Sequence, residues 1–366
     1  MCSSDLYYDR DELYGTAEGD YRDNAERFCF FSRAVVALSR RTGISPDIVH
    51  CHDWQTGLVC ALLKVVERAN PVFAGTGAVF TIHNLAYQGL FWHYDMHLTG
   101  LPWSVFTPER IEFYGKINLL KAGIVYADAI TTVSRRYSEE IQGAELGCGL
   151  EGLLARRRGD LHGILNGADY RQWDPASDPH LAVRYTPDAL EGKARCKEDL
   201  LRLFGLNLPP GTPLAGMVGR MADQKGYDLL AAALPALLDA GLALVILGKG
   251  EERYHRLLRR LAKGSPDRLG VKIAFDNALA HKIEAGADYY LMPSRYEPCG
   301  LNQIYSLRYG TVPIVRAVGG LDDTVSAYVP ATGEGNGFKF VPYTAAAFLG
   351  AVREALGVFE REPHWT

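Results

Sequence analysis

Residues 214–247 read LAGMVGRMADQKGYDLLAAALPALLDAGLALVIL. A short apolar run (214–218) ends in a polar loop bounded by Gly219 and Gly226, a helical apolar pattern follows over 227–238, and a second apolar run fills 242–247. Strand, loop, helix and strand in that order make a βαβ unit and imply a parallel sheet. Working outward, the same alternation predicts strands at 271–275, 289–292 and 312–315. Upstream it predicts strands at 47–51, 78–82, 129–133 and 161–165, with a helix around 116–126. The fold class is therefore α/β. At 366 residues the chain exceeds one ordinary core, so two domains are expected. The Asn-, Asp-, Gly- and Pro-rich stretch NGADYRQWDPASDP (166–179) suits a hinge, which sets the boundary near Gly167 and the domains at 1–167 and 168–366. The second half carries a full set of alternating units. The first opens with a polar stretch (7–21) that has no strand, where a doubly wound domain should begin with a strand and a phosphate-friendly turn.

Composition narrows the function classes. With 48% hydrophobic and 22% charged residues and a net charge of -4, the chain is of the soluble globular type. Lys and Arg total 39 against 43 Asp and Glu, and the one compact basic run, Arg156 to Arg158, reads as a solvated helix end, so nucleic-acid binding has little support. The seven cysteines form no CxxC pair and no metal-ligand spacing, which predicts scattered thiols in a reducing compartment, by default the cytoplasm. No apolar run is long enough for a bilayer, and the opening MCSSDL lacks the pattern of an export signal, so no membrane partner is expected.

In open parallel sheets, ligands sit beyond the carboxyl ends of the strands, so polar residues just after a strand are site candidates by position. HDWQTGL (52–58) offers His52 and Asp53 after one predicted strand, and HNLAYQG (83–89) offers His83 and Asn84 after the next. A lone histidine there also serves as a packed or capping side chain; two clusters at successive strand ends favour a site. GRMADQKG (219–226) places Arg220 and Lys225 in a strand-to-helix loop. Two fixed cations suit a leaving diphosphate, a planar fork and a compact point charge, although a solvated loop would look the same. Gly319 and Gly320 follow the strand at 312–315 and open a helix whose amides can accept an anion, unless Asp322 and Asp323 serve that helix dipole themselves. In PSRYEPCGL (293–301), Glu297 would repel a phosphate, so it suits sugar hydroxyls or the positive charge that develops at a sugar ring. Cys299 reads as a packed small residue or as a thiol near a helix start.

Taken in order, HDWQTGL, HNLAYQG, GLEGLL (149–154), LNGAD (165–169), GRMADQKG, PSRYEPCGL and YGTVPIVRAVGGLDDTV (309–325) closely resemble the bacterial glycogen synthase and starch synthase family. The resemblance implies the GT-B fold, two facing Rossmann-like domains, with glucose passed from ADP-glucose to the non-reducing end of an α-1,4-glucan acceptor such as glycogen, with retention. It implies no cofactor and no metal, cations and helix dipoles doing the work of a divalent ion. By the same resemblance, Arg220 and Lys225 contact the donor phosphates and Glu297 lies against the transferred glucose. The amides of Gly319, Gly320 and Leu321 cradle the diphosphate, and His83 and Asp53 approach the sugar from the first domain. Asn166 and Gln224 lie near the substrate, and Cys299, Gly300, Leu301 and Thr311 complete the donor side. Family members also open on a strand with a KxGGL motif and end on a helix crossing back to the first domain. GGL occurs here only at 319–321, so the first domain is expected to be incomplete. Beside this reading stand a UDP-glucose donor and a chain that binds donor or glucan without efficient turnover.

Overall fold

A computed structural model describes residues 7–16 and 19–361. The chain divides between Ile164 and Leu165 into two compact units.

In the first unit, four parallel strands lie side by side in sequence order: β1 (Ile48–His52), β2 (Gly77–Ile82), β3 (Ala129–Thr132) and β4 (Leu161–Gly163). Helices Asp53–Val65 and Leu119–Tyr126 are drawn together by small residues. A Cβ on Gly57 would fall 2.0 Å from the Leu119 carbonyl oxygen, and one on Gly123 would fall 2.3 Å from the Phe80 ring. Only hydrogen fits at these crossings, and Leu58, Phe80, Leu120, Ile124 and Ile130 fill the core around them. The helix expected from Lys116 starts instead at Leu119. Asn118 caps it by accepting the Lys121 amide at 2.8 Å, while Lys116–Asn118 pairs antiparallel with Leu90–Trp92.

The second unit holds six parallel strands, β5 (Leu214–Val218), β6 (Ala243–Gly248), β7 (Leu269–Ile273), β8 (Tyr289–Met292), β9 (Val312–Arg316) and β10 (Phe338–Phe340), in the spatial order β7-β6-β5-β8-β9-β10. The chain walks outward from β5 to β7, then returns to lay β8 against the other side of β5, with Ala215 paired to Tyr289. That reversal opens a crevice at the carboxyl ends of β5 and β8, the ordinary ligand position in such sheets. Both faces are covered. Along β6, Leu244 and Ile246 pack with Leu230, Leu234 and Phe348 on one side, while Ala243, Val245 and Leu247 pack with Leu200, Leu279 and Ile283 on the other. The strand at Phe338–Phe340 was not anticipated, and β7 starts and stops two residues earlier than expected, leaving Phe275 beyond its end.

The segment expected as a hinge is fastened to the second unit. Trp173 stacks on His281, with ring centroids 3.7 Å apart, and on Tyr305 at 4.1 Å. Asp178 accepts hydrogen bonds from His281 Nδ1 at 2.7 Å and from the Tyr309 hydroxyl at 2.6 Å.

Candidate active site

The loops after β5 and β8 are locked together by backbone contact. Gly226 has φ +75°, and a Cβ there would sit 2.0 Å from the Pro293 carbonyl oxygen, so a side chain would force the loops apart. The Arg295 amide donates to the Gln224 carbonyl at 2.8 Å. This registry brings Lys225 Nζ to Glu297 Oε2 at 2.5 Å, and Ser294 Oγ donates to the same carboxylate oxygen at 3.2 Å. Glu297 is buried, 5% exposed, whereas its lysine partner is only half-buried and keeps a face toward the crevice. Arg220 is exposed beside them, its Nη2 donating to the Oε1 of buried Gln224 at 3.2 Å. A buried carboxylate, an ammonium and a tethered guanidinium thus share one strand-end crevice. Charge developing on a sugar and on its departing phosphates would meet complementary groups there.

A third loop completes the wall. Gly319 has φ +45°, and a Cβ on it would lie 1.9 Å from the Glu297 carbonyl oxygen; one on Gly320 would lie 2.0 Å from that of Cys299. The glycine pair is required because the turn presses on the backbone that carries Glu297. This corrects the anion-cradle expectation for two of the three amides. Gly320 N–H donates to the Glu297 carbonyl at 3.1 Å and Leu321 N–H to the Val318 carbonyl at 3.1 Å, so both face the chain. Cys299 is a packed thiol. Burial raises its pKa, and the neighbouring Asn166 only partly offsets this. Gly300, at φ +70°, admits the Gln303 carboxamide, and Leu301 precedes the short helix Asn302–Arg308.

Thr311 is a second correction. It precedes β9, at the amino end of the sheet, and is fully buried; its hydroxyl donates to the Ala287 carbonyl at 2.9 Å and accepts from Lys193 Nζ at 2.7 Å. It holds the helix Asn277–Gly286 to the strand and stands apart from the crevice. The position unnoticed in the sequence is Asn302, whose Nδ2 donates to the Val218 carbonyl at 3.0 Å and to the Tyr290 hydroxyl.

Two cavities open over these strand ends. One of about 210 Å³ is lined by Arg220, Lys225, Ser294, Leu301 and Asn302. The other, about 440 Å³, is lined by Trp173, Arg220, Lys249, Phe275, Glu284 and Asn302, so Arg220 and Asn302 border both. A cavity of about 500 Å³ in the first unit runs along helix Asn24–Thr42, against Leu62 and Glu67, rather than over strand ends.

In the first unit, the strand-end residues organise one another. Asp53 opens its helix at φ +53°, unusual for a side-chain-bearing residue, and its Oδ1 accepts the His83 amide at 2.7 Å and the Asn84 amide at 3.4 Å. Its carboxylate therefore pins the HNLAYQG loop, and burial raises its pKa. His52 Nδ1 and His83 Nε2 share a hydrogen bond of 3.0 Å. Burial first, then the neighbouring imidazoles of His50 and His83, lower the His52 pKa, which favours its neutral form. Gly89 closes the loop at φ +61°, where a Cβ would meet the Trp54 ring at 2.6 Å.

Comparison with known proteins matches residues 1–156 to the starch synthase catalytic domain and residues 203–358 to the group 1 glycosyl transferases. A glycogen synthase from Koribacter versatilis is 55% identical over 361 residues, 98% of this chain and 74% of the relative. The chain belongs to the glycogen synthase family. Other members include the glycogen synthase of Anaeromyxobacter dehalogenans strain 2CP-C, 52% identical over 98% of this chain and 76% of its own length. Glycogen synthase 2 of Geobacter sulfurreducens is 47% identical, over 98% and 74% respectively. Among solved structures, the catalytic domain of starch synthase IV from Arabidopsis thaliana, bound to ADP and acarbose, superposes with a TM-score of 0.89 at 32% identity, covering 97% of this chain and 73% of that one. A sucrose-phosphate synthase from Thermosynechococcus elongatus has a TM-score of 0.60 at 20% identity, covering 95% and 72%, and shares the fold. The chain is thus a glycosyltransferase of the GT-B fold class.

Proposed function

We propose that the chain transfers glucose from ADP-glucose to the non-reducing end of an α-1,4-glucan with retention of configuration. The observation that carries this reading is the Lys225–Glu297 pair at the reversal point of the second sheet, 2.5 Å apart and bordered by Arg220. In this reading Arg220 and Lys225 stabilise the charge that grows on the departing diphosphate, and Glu297 stabilises the glucosyl ring as its bond to phosphate lengthens. Substrate binding would insert the phosphates beside Lys225 and leave the carboxylate for the sugar. The two side chains supply the positive charge that a divalent ion supplies in other transferases.

The base has a platform in this scheme. Phe275 is 95% exposed at the rim of the 440 Å³ cavity, a flat apolar surface on which a purine can stack, and Lys249 and Arg220 line the same cavity. The ADP and acarbose bound by the Arabidopsis relative support a nucleotide and a glucan-like ligand here. Six described cysteines are free thiols, in keeping with a cytoplasmic setting. Among the described residues, no helix is long and apolar enough to cross a membrane.

The test is incubation with ADP-glucose or UDP-glucose and a maltooligosaccharide primer. Chain extension from ADP-glucose is expected. Extension from UDP-glucose alone overturns the donor assignment, and ADP binding without extension from either donor makes the chain a binding protein.

A further inference from the structure

The 440 Å³ cavity has a polar group in its wall that the proposed reaction does not use. Glu284 is 1% exposed, and neither carboxyl oxygen has a hydrogen-bond partner among the described residues. It lies on the helix Asn277–Gly286, where Asn277, Ala280 and Glu284 line the cavity at spacings of three and four, one helical face. Two polar groups approach the carboxyl from other elements, Lys193 from helix Glu191–Phe204 and the Tyr290 hydroxyl from β8. Both are committed elsewhere. Lys193 Nζ donates to the carbonyls of Ala285 at 3.0 Å and Tyr309 at 3.1 Å and to Thr311 Oγ1, while the Tyr290 hydroxyl donates to the Val218 carbonyl at 3.2 Å.

Buried polar side chains in folded proteins are almost always hydrogen-bonded, so an orphan carboxyl in a cavity wall calls for a ligand. Burial pushes the Glu284 pKa well above the ordinary carboxyl range, Lys193 and Tyr290 offsetting this only in part. The shift favours the protonated carboxyl. That form offers one donor and one acceptor side by side, the complement of an acceptor–donor pair on a base edge or a ribose diol. Phe275 at the rim and Glu284 in the wall thus line one cavity.

We propose that Glu284 hydrogen-bonds the nucleoside half of the donor and sets the affinity for it. The proposal rests on the donor reading above. Its test is calorimetric titration of the whole chain with adenosine, ADP and inorganic pyrophosphate, in the wild type, Glu284→Gln and Glu284→Met. The amide keeps a donor and an acceptor, so adenosine affinity in Glu284→Gln should stay within about threefold of wild type. Glu284→Met removes both and should weaken adenosine about tenfold, the loss of roughly one hydrogen bond, with pyrophosphate affinity unchanged. Adenosine binding of wild-type strength by Glu284→Met overturns the proposal, as do equal losses for Gln and Met or parallel losses of adenosine and pyrophosphate, which mark a structural role. A wild-type chain that binds neither adenosine nor ADP sinks the donor reading instead.

Discussion

Lys225 Nζ meets Glu297 Oε2 at 2.5 Å across the point where the strand order of the second sheet reverses, the ammonium from the loop after β5 and the carboxylate from the loop after β8. The exposures are unequal, 26% for the lysine side chain and 6% for the glutamate, so the lysine reaches solvent while the carboxylate depends on it. Removing the ammonium leaves a buried charge with Ser294 as its only side-chain partner among the described residues. Lys225→Ala should therefore lower kcat/KM for glucose transfer by about 10³-fold. Lys225→Arg should recover little of it, because a planar fork does not replace a compact ammonium at this distance. Steady-state kinetics check both, and a fully active Lys225→Arg enzyme would count against the pairing.

The glycine turn gives a stability prediction. A Cβ at Gly320 meets Cys299 backbone atoms at 2.0 and 2.5 Å, which cannot yield as a side chain can. Gly320→Ala should destabilise the chain by about 3 kcal/mol, the size of a severe overpacking. Gly152, on helix Glu151–Arg156, meets nothing within 4 Å, so Gly152→Ala should be neutral or slightly stabilising. Thermal melting of the two variants side by side provides the check.

For Asp53, two demands coincide: an acceptor for the His83 and Asn84 amides, and tolerance of φ +53°. Asparagine meets both, since it keeps an acceptor oxygen and visits left-handed backbone readily. Asp53→Asn should retain nearly full stability, whereas Asp53→Ala should lose about 2 kcal/mol by denaturant melting. A reversed order of the two variants would refute the pinning role.

Lys193 sets a pH dependence. Burial lowers its pKa to about 8. Below that pH both folded and unfolded chains carry the charge, and the folded state bears the full cost of burying it. Between about pH 8 and the unfolded value near 10.4, only the unfolded chain holds the proton, so this group makes stability rise with pH. The wild type should gain on Lys193→Met by about 1 kcal/mol per pH unit across that window, measured by urea melts from pH 7 to 10. A flat difference would show that the ammonium is not titrating.

Much of this was legible in the sequence because position carries chemistry in a parallel sheet. Arg220, Lys225 and Glu297 were candidates by their loop positions, the family resemblance set them in one donor site, and in the structure Lys225 meets Glu297 in a crevice that Arg220 also lines. Thr311 could have been set aside on the same rule, since it precedes its strand. Other features depend on packing that no local pattern reveals. Phe275 reads as the last residue of an apolar strand, and only the early end of β7 at Ile273 leaves it exposed. The glycine pair at 319–320 looks like an anion turn, yet its steric partner is the backbone of residues 297–299, some twenty residues upstream. Glu284 and Asn302 carry no motif that separates a cavity wall from a solvated helix; their places follow from the helix faces chosen by the core.

In the proposed reaction Glu297 acts on the sugar while Arg220 and Lys225 hold the phosphates. The most direct measurement compares kcat with the ADP dissociation constant in Glu297→Gln, which keeps the side chain's shape and removes its charge. A fall in kcat of about 10²–10³-fold with ADP affinity within a few-fold of wild type is the predicted result. Matched losses in kcat and ADP affinity would contradict it and make Glu297 a structural partner of Lys225.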